Sequence, residues 1–187
     1  MDLTAADLSG LTDPDGWIDA WRFAASMHVE QKVPGSNLPY IYHVGAVVME
    51  LFAAHAVQRV DNLDLAIRCA ALHDTQEDQG VSYETLCARF GEAVAQGVGA
   101  LSKNPALPKA EAMADSLSRI RRQPTAIWCV KMADRIVNLA APPAHWSPDK
   151  IDAYRKEAAL ILTELGEAHA ALAERLAEKI KLYPPAA

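Results

Sequence analysis

The chain has 187 residues, is 51% hydrophobic and 22% charged, and carries a formal charge of −6. Those values lead one to expect one globular domain with a sizeable core, too short for a catalytic domain joined to large regulatory modules. The acidic balance argues against nucleic-acid binding as the main activity, which usually needs a basic face. A phosphorylated small molecule stays open, because a metal and a local group of Lys and Arg can receive phosphates on an acidic protein.

In chain order, Asp13-Pro14-Asp15-Gly16 reads as a turn before a helix from about Trp17 to Glu30. Val33 to Pro39 is a loop by its Pro, Gly and Asn content. Val44, Val47, Val48, Leu51 and Phe52 mark the buried face of a helix from His43 to Ala56. Residues 62–78 form the next helix. Ser82 caps a short helix over 83–90 that Gly91 ends. Another runs from Glu92 to Lys103. After the loop Asn104–Pro108 come helices over 109–122 and 125–140. Pro142-Pro143 breaks the chain, and two closing helices reach about Leu182. Strand formers are sparse, so the fold class is all-α, a single domain over 1–187 of about 8–10 helices. Cys69, Cys87 and Cys129 are odd in number and dispersed, the pattern of reduced thiols. Residues 1–16 lack the pattern of a signal peptide, and no run of about 18 apolar residues provides a membrane span. The expected location is the cytoplasm.

The most informative segment is His73-Asp74-Thr75-Gln76-Glu77-Asp78. It closes the apolar run Leu65–Leu72, just before Gly80. Acids at a helix C-terminus cost roughly 0.3–1 kcal/mol each, and a bound cation would reverse that sign. Two other segments hold matching ligands. His43 opens an apolar helix, and Asp134 lies inside the run from Val130 to Leu139. A carboxylate there is expensive unless paired or metal-bound. His43, His73, Asp74 and Asp134 together would suit Mn²⁺, Fe²⁺ or Zn²⁺. On a continuous helix Glu77 is i+4 from His73, and Asp78 is i+4 from Asp74, which places both acids on the ligand face. They would orient and deprotonate a water. The alternative from spacing alone is a polar helix end, a core-edge histidine and an Asp134–Arg135 pair. Arg119, Arg121 and Arg122 read as an exposed basic face. His28, His55, His145 and His169 lack motif partners and read as structural or exposed.

Four segments then stand together in order and spacing. They are Pro39-Tyr40-Ile41-Tyr42-His43, Ala71-Leu72-His73-Asp74-Thr75-Gln76-Glu77-Asp78, Tyr83-Glu84-Thr85-Leu86 leading to Phe90-Gly91, and Val130–Leu139. This pattern resembles the HD metal-dependent phosphohydrolase superfamily, and within it the RelA/SpoT hydrolase domain and stand-alone small alarmone hydrolases, over about residues 17–183. The resemblance implies a helical HD-type fold with His43, His73, Asp74 and Asp134 as ligands of one divalent metal, usually Mn²⁺. It implies Glu77 and Asp78 as the catalytic acids, with Lys32, Lys109, Asn138 and Tyr154 as substrate contacts. The implied reaction removes the 3′-pyrophosphate of a hyperphosphorylated purine nucleotide, (p)ppGpp or its adenine analogue (p)ppApp.

The sequence departs from the family at Gln31-Lys32-Val33-Pro34, where an Arg-Lys pair usually recognises guanine. Lys32 keeps one cation and Val33 replaces the other, and Arg stacks on a base in a way Lys does not. The chemistry is therefore expected intact and the base pocket altered. Two other readings use the same residues: an HD phosphatase acting on NADPH or nucleoside monophosphates, and a non-catalytic nucleotide sensor. The complete Glu77-Asp78 pair counts against the sensor. Oligomeric state is not encoded in any recognisable signal.

Overall fold

A computed structural model describes residues 13–185, apart from the side chains of Lys109 and Ala110. The described chain is helical without named strands; an isolated bridge joins Lys32 and Pro39. The helices are α1 (Pro14–Met27), α2 (Ile41–Val57), α3 (Leu63–Leu72), α4 (Thr75–Gln79), α5 (Tyr83–Phe90), α6 (Glu92–Leu101), α7 (Lys109–Ile120), α8 (Thr125–Asn138), α9 (Pro148–Leu165) and α10 (Ala170–Leu182). A 3₁₀ turn over Gly166–Ala168 links the last two. No helix is long and apolar enough to cross a membrane among the described residues.

The helix starts follow local chemistry. Asp13 caps α1 through Gly16 N, so the helix begins at Pro14 rather than at Trp17. Proline suits that position because its missing N–H would be unpaired there anyway. Asn62 caps α3 from a left-handed conformation, and Ser82 and Ser147 cap α5 and α9.

Helix α8 is the axis of the molecule. It packs against α2, α3, α6, α9 and α10. Every residue from Ala126 to Ile136 is buried. Ile127, Val130, Met132 and Ile136 are fully enclosed, each contributing roughly 1.5–3 kcal/mol by leaving water. Lys131, Asp134 and Arg135 are buried on the same helix, so α8 carries three charges into the core. Helix α6 comes close to its neighbours at Gly97, where a Cβ would sit 2.7 Å from both Cys69 Sγ and Ile127 Cδ1.

One expected element divides in two. The helix over 62–78 stops at Leu72 and restarts at Thr75. His73 caps the first piece and Asp74 precedes the second. The Thr75 hydroxyl donates back to Leu72 O at 2.7 Å, a bond that competes with the helical ladder. The break changes the electrostatics inferred for this segment. Glu77 and Asp78 lie in the first turn of a new helix rather than the last turn of an old one, where the backbone field favours carboxylates. Asp78 N still bonds Asp74 O at 2.9 Å, so that pair keeps its one-turn spacing. Gly80 ends the turn at φ 66°, a conformation that favours glycine.

Candidate active site

Three helices bring the four motif residues to one point. His43 comes from the first turn of α2, His73 and Asp74 from the α3–α4 junction, and Asp134 from α8. His43 Nε2 is 3.3 Å from His73 Nε2, 3.4 Å from Asp134 Oδ1 and 3.7 Å from Asp74 Oδ2. His73 Nε2 lies 2.9 Å from Asp74 Oδ2 and 3.8 Å from Asp134 Oδ1. Donors about 2.1 Å from one cation are separated by about 3.0 Å in an octahedron and about 3.4 Å in a tetrahedron. The His43–His73 and His43–Asp134 spacings, 3.3 and 3.4 Å, fall in that range; the other three, at 2.9, 3.7 and 3.8 Å, bracket it. His43, His73 and Asp134 are also all buried.

The histidine orientation fits a cation as well. His73 Nδ1 is 2.8 Å from Ala70 O, so Nδ1–H donates there and Nε2 directs its lone pair at the cluster. A lone pair facing two carboxylates is repulsive unless a positive charge intervenes. Without a metal that charge is a proton. Burial would lower the His73 pKa, but Asp74 and Asp134 outweigh it and push it up to about 9. Burial would likewise raise Asp74 and Asp134, yet both are held below the usual carboxylate range. The His73 contact does this for Asp74; the Lys131 ammonium and the imidazoles do it for Asp134. The set is built to surround positive charge, and it fits a divalent metal.

Neighbours within the same segments fix these side chains. The Tyr40 hydroxyl donates to Asp74 Oδ2 at 2.5 Å. Lys131 donates to Asp134 Oδ2 at 3.2 Å and Asn138 to Asp134 Oδ1 at 2.5 Å. The Asp134–Arg135 pair of the alternative reading does not form. Lys131, one turn earlier, faces Asp134, while Arg135 points away, pairs with Glu157 and lies 4.2 Å from the centre of the Tyr154 ring. The signal for Lys131 was its i−3 position, which shares a helix face with Asp134; an i+1 neighbour does not.

The acid pair borders a polar cavity of about 160 Å³ that holds Asp74, Asp134, Glu77 and Asp78 with Lys103, Lys131, Arg135, Asn138 and Tyr154. Glu77 is fully engaged: Lys103 N donates to Oε2 at 2.8 Å, and the Lys103 ammonium is 3.4 Å from Oε1. Asp78 accepts from Gln31 Nε2 at 2.7 Å through Oδ2. Partial burial and the charges of Asp74 and Glu77 push the Asp78 pKa up, against the opposing Gln31 bond. Arg119 is not part of a solvated basic face. It clamps the end of α6, donating to the carbonyls of Gly99, Ala100 and Ser102, and so anchors the segment that presents Lys103.

A second cavity of about 270 Å³ adjoins the first, with Asn138 and Tyr154 bordering both. Its walls include Val33, Pro34, Val137, Pro143, Trp146 and Tyr183, and no described lining residue is Lys or Arg. Lys32 is exposed and lines neither cavity. Lys109 opens α7, with its side chain outside the described set.

The model of the HD domain family matches residues 20–176. This chain belongs to the HD domain family. It is 29% identical over 164 residues to a Danio rerio protein named guanosine-3′,5′-bis(diphosphate) 3′-pyrophosphohydrolase MESH1, covering 85% of this chain and 89% of that one. An Aquifex aeolicus guanosine-3′,5′-bis(diphosphate) 3′-pyrophosphohydrolase is 31% identical over 64% of this chain but only 17% of its own length. The fold is that of an HD structure described as a metazoan ortholog of SpoT that hydrolyses ppGpp, with a TM-score of 0.79, 22% identity, and 94% and 99% of the two chains covered. A Listeria monocytogenes EGD-e structure also shares the fold, with a TM-score of 0.60, 19% identity, and coverage of 76% and 94%.

Proposed function

We propose that this HD protein is a metal-dependent 3′-pyrophosphohydrolase of hyperphosphorylated purine nucleotides, acting as one domain, with Mn²⁺ as its working metal. The observation that carries the reading is the join between a four-ligand pocket and a cavity holding both carboxylates and cations. Relatives of similar length bear the same activity in their names.

His43, His73, Asp74 and Asp134 would hold the metal, which when bound acts as a Lewis acid toward water and a phosphoryl oxygen. Asp78 is the better placed general base. One of its oxygens carries no hydrogen bond in the described set, whereas Glu77 has both engaged by Lys103. Burial, with the charges of Asp74 and Glu77, raises the Asp78 pKa and so makes it a stronger base toward the water. Asp78 takes the water proton as oxygen attacks the phosphorus attached to the ribose 3′ oxygen. The bond from phosphorus to O3′ breaks, pyrophosphate leaves, and O3′ gains a proton. Lys103, Lys131 and Arg135 offset the phosphate charge along the same cavity. Asn138 and Tyr154, at the junction of the two cavities, would meet the sugar. Lys32 would be the remaining cation beside the base, and Lys109 a contact to the phosphates or sugar. The three unpaired cysteines support a reducing compartment, the cytoplasm.

Val33 and Pro34 in the wall of the second cavity favour a further reading: the base pocket does not require guanine. (p)ppApp is then hydrolysed at least as well as (p)ppGpp. A tenfold preference needs only about 1.4 kcal/mol of transition-state binding. The test is kcat/KM for ppGpp, ppApp, NADPH and nucleoside monophosphates with Mn²⁺, repeated with Val33→Lys. Turnover confined to NADPH or monophosphates would reject the alarmone reading. A strong guanine preference would reject only the base assignment.

A further inference from the structure

Gln31 lies outside the metal set and the acid pair, in the connection between α1 and α2, yet its side-chain amide is held from three directions. Nε2 donates to Asp78 Oδ2 at 2.7 Å. Oε1 is 2.7 Å from His28 Nδ1 and also accepts from Gln79 Nε2. One amide orientation satisfies all three contacts. The reverse would set the amide oxygen against a carboxylate oxygen.

The same geometry fixes His28. Its Nδ1 carries the proton given to Gln31. Its Nε2 is buried with no polar partner among the described residues, and an unpaired lone pair is tolerated there better than an unpaired N–H. The ring is 3% exposed and lies on Tyr40, with centroids 4.9 Å apart. Tyr40 in turn holds Asp74. A single buried imidazole therefore supports both an expected metal ligand and an expected catalytic acid. Such support matters because α4 spans only five residues. A helix that short has too few backbone bonds to fix a side chain by itself.

We propose that His28 and Gln31 are positioning residues for Asp78. Gln31 holds Oδ2 so that Oδ1 faces the reacting water, and His28 holds Gln31. The proposal rests on Asp78 being the water-activating acid. Loss of the relay therefore lowers kcat, because the metal ligands and the substrate cavity stay in place while the base loses its aim.

The experiment measures kcat, KM and metal content for variants of the full chain with Mn²⁺ and ppGpp. Gln31→Met keeps length and removes the amide. It is expected to lower kcat about tenfold, with KM and metal content within twofold of wild type. Gln31→Asn pulls the amide back by one methylene, should do the same, and stands in should the Met variant not fold. His28→Leu should lower kcat similarly. His28→Asn, whose side-chain nitrogen can occupy the place of Nδ1, should restore most of it; a purely packing role for the ring predicts equal damage from both. In an Asp78→Asn background, Gln31→Met should add less than a twofold loss. Wild-type kcat in Gln31→Met beside an impaired Asp78→Asn would overturn the relay and leave the functional reading intact. A full tenfold loss added to Asp78→Asn would also overturn it, because Gln31 would then act elsewhere. Wild-type kcat in Asp78→Asn itself would reject the role of Asp78, and the relay with it.

Discussion

Replacing Lys131 with Met tests the electrostatics of the ligand cluster. The Lys131 ammonium is 3.2 Å from Asp134 Oδ2, and the two side chains are only 8% and 10% exposed. Unit charges at that distance attract by about 5 kcal/mol at an effective dielectric near 20. Burial of both charges offsets much of this. Removing one partner, however, strands the other, and that costs about 3–5 kcal/mol. Met retains the apolar stem, and Asp134 keeps Asn138 and the imidazoles. The loss should therefore fall at the lower end, about 3 kcal/mol, or roughly 6–12 °C in Tm for a protein of this size. A divalent cation replaces the missing positive charge. The gap between wild type and Lys131→Met should therefore narrow when Mn²⁺ is added. The assay is thermal denaturation of both proteins in EDTA and in Mn²⁺. Equal Tm values in EDTA, or a gap that Mn²⁺ leaves unchanged, would refute the reasoning.

Glu77→Gln and Asp78→Asn should each lower kcat by roughly 10²-fold or more while metal content stays near wild type; elemental analysis beside steady-state kinetics checks both, and metal loss would make them ligands instead. In EDTA the protein should lose stability at alkaline pH. His73, lowered by burial but raised more strongly by Asp74 and Asp134 to about 9, contributes stability that is complete below its unfolded pKa of about 6.5 and lost as pH rises through about 9. Saturating Mn²⁺ should remove that alkaline loss, because a ligating imidazole carries no extra proton; Tm against pH with and without metal decides it. Iodoacetamide should modify native Cys87 and spare Cys69 and Cys129, both buried, with Cys129 pushed up to about 12 by burial; peptide mass spectrometry reads the labelling.

The helical architecture was legible because its punctuation is local. Ser82, Gly91, Pro108 and the Pro142-Pro143 break bound elements to within a few residues of where they fall. His43, His73, Asp74 and Asp134 were singled out through a recognisable pattern; the structure gathers His43, His73 and Asp134, with Asp74 against both imidazoles, although their separation of up to 91 residues offers no local clue. The break at His73–Asp74 was hidden, since neither Gly nor Pro marks it. It depends on a Thr75 back-bond and on Asp74 turning toward Tyr40, both visible only after folding. Lys131 as the partner of Asp134 was not legible: Arg135, the adjacent cation that the alternative reading paired with it, faces Tyr154 and Glu157. His28 and Arg119 looked idle for the same reason: their partners, Gln31, Tyr40 and the carbonyls ending α6, are set by packing between helices.

Incubation of the chain with ppGpp and Mn²⁺, followed by anion-exchange chromatography and ³¹P NMR, tests the central claim most directly. The account predicts GDP and inorganic pyrophosphate in equal amounts, no turnover in EDTA, and recovery when Mn²⁺ is restored. Release of orthophosphate in place of pyrophosphate, or undiminished hydrolysis in a verified metal-free preparation, would contradict it.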